Sequence, residues 1–215
     1  MHCIYICFVL VCFFLGACKN AIHEENLGHR FEIYGDFDGN GTIDTLKEYY
    51  YSEKTQKSLA KHYSHISTYE ALQHYIAAQK PYTFLASEKQ NIDTFKLIKD
   101  AQSYGLLYLK NEGDLNGDGN DEISYVLDWL DDSALNTCYI ASYKNGAWQI
   151  LYEFDIWDWL VPPYAKILPK DTAALKELKI EYKAFNGLVK KLDNHLIEVI
   201  HVNEDAEKAV LQVQL

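Results

Sequence analysis

The sequence predicts a mainly β protein of β-rich α+β class. It reads as antiparallel meanders or blade-like sheets with one or two inserted helices, and not as a complete propeller. Three observations point there. Apolar and polar residues alternate in short runs, as where Leu178, Ile180, Tyr182 and Ala184 interleave with Lys179, Glu181 and Lys183, the pattern of a strand with one buried face. Asn145-Gly146 and Asn186-Gly187 separate such runs, and both residues of an Asn-Gly pair tolerate the positive φ of a tight hairpin turn. Two loops rich in Asp, Asn and Gly, at 35–44 and 113–123, occur in matching register with β-prone residues after them. There is no third copy of the loop, which argues against a closed ring of blades.

Taken in order, the chain opens on an apolar run at 4–15, the length of a signal h-region and short for a membrane span. The run ends in Leu15-Gly16-Ala17-Cys18, which resembles the lipobox of bacterial lipoproteins. The resemblance implies a signal peptide over 1–17, cleavage before Cys18 and acylation of its thiol. The chain would then sit on a lipid bilayer of the bacterial envelope, on an outer-membrane, periplasmic or surface face. Residues 18–29 read as a polar tether and 30–215 as a single β-rich domain, with Pro162-Pro163 marking a point near 162–170 where it would subdivide. Cys3, Cys7 and Cys12 leave with the signal, so Cys138 is the one mature thiol besides Cys18. It lies in an apolar strand and reads as a buried structural group.

A strand at 30–34 leads into the first loop, and a tyrosine-rich strand at 46–52 leaves it. The loop places oxygen-bearing residues at alternating positions, Asp36, Asp38, Asn40, Thr42 and Asp44, with Gly39 and Gly41 between them. The second loop repeats this with Asp114, Asn116, Asp118, Asn120 and Glu122, with Gly117 and Gly119 between them. Both carry an apolar residue at position 2, Phe37 and Leu115. Oxygens converging on one point repel one another unless a hard cation fills the centre. Calcium, with six to eight oxygen ligands in flexible geometry, suits such a set. Position 7 would give its backbone carbonyl. The bidentate Glu that closes an EF-hand at position 12 is replaced by Lys47 and Tyr125. These residues resemble the calcium loops of integrin FG-GAP and VCBS repeats, strand-loop-strand units with a D-x-[DN]-x-[DN]-G-x-x-[DE] signature. The likeness covers about a tenth of the chain and implies two bound Ca2+ ions. Asp118 and the nearby Asp121 give the second loop more negative charge, so the tighter site is expected there. The alternative reading of each loop is a solvated turn.

Ser67-Thr68-Tyr69-Glu70 fits a capping box with Ser67 as N-cap. The helical spacing of Tyr69, Leu72, Tyr75 and Ile76 follows, and Pro81 closes the helix. A second short helix is expected over 91–102 with Asp93 as its cap. His62, His65 and His74 are close in sequence but lack an acidic or cysteine partner at zinc spacing, so surface histidines are the better reading. A strand at 103–109 enters the second loop and one at 123–129 leaves it, with Ile123, Tyr125, Leu127 and Trp129 on one face. Strands at 138–143 and 148–154 flank Asn145-Gly146, and further strands are expected at 195–202 and 209–215.

The net charge of −11 argues against a nucleic-acid partner, whose phosphates would be repelled. A hydrophobic content of 48% is enough for a core in one domain of this length. Trp157 and Trp159, beside Asp155 and downstream of Asp131 and Asp132, are the candidate partner-binding residues. Exposed aromatics beside carboxylates suit sugar stacking, whereas Trp at alternating strand positions more often packs. The chain carries no lipase-type Gly-x-Ser-x-Gly, no HExxH and no phosphate loop, and no residue is assigned a catalytic role. The expected function is therefore structural or binding, toward a protein or a glycan. An envelope immunity or inhibitor lipoprotein that neutralises a toxin or hydrolase is the alternative, and a glycan-acting hydrolase the third.

Overall fold

The computed structural model describes residues 30–60, 66–89, 91–98, 102–131, 133–161, 187–203 and 205–215. Cys18, the strand expected at 178–184 and Asn186 lie outside the described residues, as do the tether and Pro162-Pro163. The described chain forms three antiparallel sheets, each a meander of consecutive strands. The first contains β1 (Glu32–Gly35), β2 (Asp44–Ser52), β3 (Pro81–Ser87) and β4 (Phe95–Ile98), in that order. The second contains β5 (Ser103–Gly113), β6 (Glu122–Trp129), β7 (Leu135–Lys144) and β8 (Ala147–Trp157), again in order. The third has β10 (Leu196–Val202) between β9 (Val189–Asp193) and β11 (Lys208–Gln214). The fold is mainly β, as expected, and the described residues form no closed barrel or propeller.

The two four-stranded sheets share one plan, with an acidic glycine loop joining their first and second strands. The registers agree to the residue. Gly35 pairs with Asp44 across β1 and β2, and Gly113 pairs with Glu122 across β5 and β6. Asp36 and Asp114 nevertheless stand 78 positions apart, because the link from β2 to β3 carries a helix that the link from β6 to β7 lacks.

That helix, α1 (Tyr69–Gln79), is capped by Thr68 rather than Ser67. Thr68 is extended, and its Oγ1 accepts from the Ala71 N–H three residues on, as an N-cap must. Lys80 turns into the left-handed region at φ 49° and donates to the Ala77 carbonyl, ending the helix. Pro81 then opens β3, a position where its missing N–H costs no ladder bond. Only Ile76 of the helix is buried, in a small cluster with Ala60 and Leu130.

The second helix expected at 91–102 is not formed. Phe95–Ile98 is the edge strand β4, because Phe95 finds its apolar partner across the sheets, stacked on Trp148 at 4.8 Å and edge-on to Tyr125. Ile123, Tyr125, Leu127 and Trp129 share one face of β6 as expected, and the opposite face is covered too, since Glu122 to Leu127 are all buried. Residues of both faces, Ile123, Tyr125, Val126 and Leu127, lie in the shared core, and Tyr125 packs against the rings of Phe95 and Tyr139.

One core runs through all three sheets. Leu46 and Leu85 from the first, Ile123 and Ile140 from the second, and Ile197 and Val199 from the third are fully buried in it. Both loops are nailed to this core by their position-2 residues, Phe37 at 0% and Leu115 at 1% exposure. Each such side chain contributes about 1.5–3 kcal/mol on leaving water. Glu48 of β2 ties the first two sheets by polar bonds, accepting from the Leu106 N–H at 2.8 Å and the Phe31 N–H at 3.1 Å. Arg30 lies 3.5 Å from the same carboxylate and stacks over the Tyr50 ring. Cys138 is buried on β7, where desolvation pushes its thiol well up, matching a structural role.

Candidate metal centre

The first loop curls around its own carboxylates. Asp36 accepts from the N–H groups of Asn40 at 3.0 Å and Gly41 at 2.8 Å. Asp38 accepts a second bond from the Asn40 N–H, and the Asn40 side chain accepts from Thr42 N–H at 2.8 Å. Gly39 and Gly41 hold φ of 69° and 82°, values a side-chain-bearing residue adopts only at a cost. The result is convergence. Carboxylate oxygens of Asp36, Asp38 and Asp44 lie within 4.8 Å of one another, which makes them the group of three acidic side chains so placed among the described residues.

Asp44 is the buried member, at 0% exposure. Its Oδ1 accepts from the Asn91 carboxamide at 2.7 Å, and its Oδ2 is shut away from solvent with no hydrogen-bond partner. A buried, unanswered carboxylate oxygen is costly unless a cation neutralises it. The donor set is all hard oxygen, which fits calcium or magnesium and not a soft metal.

The second loop starts the same way and then departs. Asp114 accepts from the N–H groups of Gly117 at 2.6 Å and Gly119 at 3.1 Å. Asn116 accepts from Asp118 N–H at 2.9 Å. Asp118, however, is bonded to the Lys144 ammonium at 2.9 Å. Partial burial pulls the Asp118 carboxyl up, but the Lys144 and Asn120 bonds outweigh it and hold it below the ordinary range. Asn120 sends its amide to the Tyr143 carbonyl. Glu122, one methylene longer than Asp44, reaches past the loop centre and accepts from the Leu115 N–H at 2.6 Å and the Asn116 side chain at 3.1 Å. Burial pushes its pKa up to about 7, against the bonds it accepts. The carboxylates expected to converge here are instead spent on lysine and backbone.

The two loops lie against each other. Asp121 N–H donates to the Asp36 carbonyl at 2.8 Å, and Asp36 N–H donates to the Asp121 carboxylate at 3.1 Å. Asn111 bridges the Tyr34 carbonyl and Asp121, both at 2.8 Å. A Cβ at Gly39 would displace the end of the Asn120 side chain, and the positive φ adds backbone strain for any other residue there. The third sheet abuts the second loop, with His195 N–H donating to the Leu115 carbonyl at 3.1 Å and Lys191 to that of Asp114. Sequence reasoning missed Asn91, Asn111 and Lys144. Each comes from outside the motif: strand pairing within a sheet brings up Asn91, after β3, and Lys144, on β7, while Asn111 reaches across to Tyr34 of the first sheet.

The Trp-rich run ends β8 and enters a single 3-10 turn, Asp158–Leu160. Trp157 is partly buried and donates its indole N–H to the Ala206 carbonyl at 3.1 Å. Trp159 stacks on it, with ring centroids 4.7 Å apart and planes within 10°. Its other face is open, and the residue is 65% exposed. Packing thus accounts for Trp157 but not for Trp159. Asp155 shares the outward face of β8 with Trp157, two residues away, and is exposed. Of the three histidines, His74 projects from α1 into solvent near Glu70, while His62 and His65 lie outside the described residues.

Comparison with protein-family models and with curated proteins finds no match to this chain.

Proposed function

We propose that this protein is a lipid-anchored component of a bacterial envelope. Calcium in its acidic glycine loops braces the junction of two sheets, and an outward face serves a protein or glycan partner. The observation that carries the calcium reading is the convergence of Asp36, Asp38 and Asp44 around a buried Asp44 oxygen that no protein group answers. The first loop is the tighter site in this reading, reversing the ranking drawn from charge alone. Calcium at the second would have to compete with Lys144 for Asp118 and would not reach Glu122 without breaking its backbone bonds. The stacked Trp pair beside Asp155 supports the partner-binding face, and the Cys18 motif supports the anchor.

Thermal unfolding with calcium, magnesium or chelator tests the central claim. Binding the folded state alone raises stability by about 2.7 kcal/mol at a hundredfold excess over Kd. Calcium should therefore raise Tm, magnesium should do so poorly because it demands a smaller octahedral shell, and Asp36→Ala should abolish more of the effect than Asp114→Ala. An unchanged Tm in chelator, with no calcium binding up to millimolar by calorimetry, leaves the loops as turns. The anchor is tested separately, by mass and detergent partitioning of protein made in a bacterial host. A mature chain that stays aqueous with an unmodified Cys18 ends that part of the reading.

A further inference from the structure

We propose that Asn91 is a ligand of the cation at the first loop, supplied from outside the loop by the connection between β3 and β4. The inference rests on the calcium reading and adds a residue that the loop motif does not contain. Asn91 already occupies the right place. Its Nδ2 donates to Asp38 Oδ2 at 3.0 Å and to Asp44 Oδ1 at 2.7 Å, so one carboxamide end faces two of the three converging carboxylates. That position is where a cation would be drawn, between the acids and beside the buried, unpartnered Asp44 Oδ2.

The carboxamide can serve either charge state of the site. Its two ends have nearly the same shape, one a donor and the other an acceptor, and rotation about the terminal torsion exchanges them. Without metal the NH2 end answers the carboxylates. With metal a half-turn brings Oδ1 to the ion and sends Nδ2 toward the Ser87 hydroxyl, which now bonds Oδ1 at 3.0 Å and is able to accept. The loop needs such a donor. Calcium takes at least six oxygens, and the position that closes an EF-hand is Lys47, whose ammonium is engaged by Glu32 at 3.2 Å and Glu88 at 2.7 Å. The Asn40 side-chain oxygen is bonded to the Thr42 N–H as well, so it is not free to replace that missing ligand without a rearrangement.

Asn91 also extends the reach of the site. Ile92 next to it is buried, Asp93 N–H donates to the Tyr143 hydroxyl at 3.2 Å, and Trp148 donates to the Asp93 carbonyl at 2.9 Å. A metal held by Asn91 therefore fastens the edge of the first sheet to the β7–β8 hairpin of the second.

Europium luminescence on the full-length chain, at half an equivalent of metal, tests the assignment, because decay rates in H2O and D2O count the waters on the ion. Asn91 is exposed, so Asn91→Ala should fold. It is expected to gain one metal-bound water and to weaken calcium about tenfold, within the range over which ligand number tunes such sites. Asn91→Asp, which keeps an oxygen in place, is expected to retain the wild-type hydration number. An unchanged hydration number in Asn91→Ala overturns the proposal, even if affinity falls, because Asn91 would then act only as a hydrogen-bond donor to the acids. If wild-type protein binds neither europium nor calcium, the calcium reading fails first and takes the ligand assignment with it.

Discussion

At the scale of single residues, one methylene separates the two loops. Asp44 and Glu122 occupy the same register position, each paired with the glycine that opens its loop, and both are fully buried. The shorter side chain stops at the loop centre, whereas the longer one folds back onto the backbone N–H of Leu115. Glu122 is thus a built-in acceptor where Asp44 is a candidate ligand. Glu122→Ala strands buried donors and should cost about 1–3 kcal/mol in urea unfolding, the usual penalty for such a group. Glu122→Gln keeps one acceptor oxygen and should cost less, with the calcium-induced rise in Tm intact. Loss of that rise in Glu122→Gln would return Glu122 to the ligand set. Lys144 makes a related point. It is the last residue of β7, just before the Asn145-Gly146 turn, and Asn145 and Gly146 do take the positive φ of that turn. The ammonium meanwhile neutralises Asp118 across the sheet.

At the scale of elements, strands with strong β-prone or alternating runs were legible, whether edge or central, and the short or weakly patterned ones were not. The β7–β8 hairpin follows from Asn-Gly between two β-prone runs, and α1 from a cap, a period and a proline. β4 was misread as helix because its four residues carry too little periodicity to oppose a nearby Asp cap. Its identity comes from Phe95 lying on Trp148. β3 and β9 gave no hydrophobic alternation strong enough to stand out locally. The tail of β8 is where packing and binding separate within one dipeptide step. Trp157 is tied to Ala206, while Trp159 shows an open indole face. Trp159→Ala should therefore leave the unfolding free energy within about 1 kcal/mol of wild type, as surface substitutions do. Its loss should abolish any glycan or protein capture that the wild-type chain shows. A Trp159→Ala chain that unfolds would make the residue structural and remove the main support for a partner face there.

At the scale of the whole molecule, the sequence by itself determined the β-rich class, the matching register of the two loops and the apolar position 2 that both share, Phe37 and Leu115. Those features rest on local chemistry: alternation along a strand, the φ freedom of glycine, and an apolar residue set between polar ones. The tertiary structure alone decided that the loops touch, with the Asp121 N–H donating to the Asp36 carbonyl and the Asp36 N–H to the Asp121 carboxylate across 85 positions of chain. It also decided which carboxylates converge. Charge counted along the chain favours the second loop, but Lys144 arrives from 26 positions away and Asn91 from 47 or 53, and neither carries a local signal. A ligand set is a coincidence of atoms in space. Residues far apart in sequence come together only when strands pair, which is why the motif was readable and the convergence of its carboxylates was not.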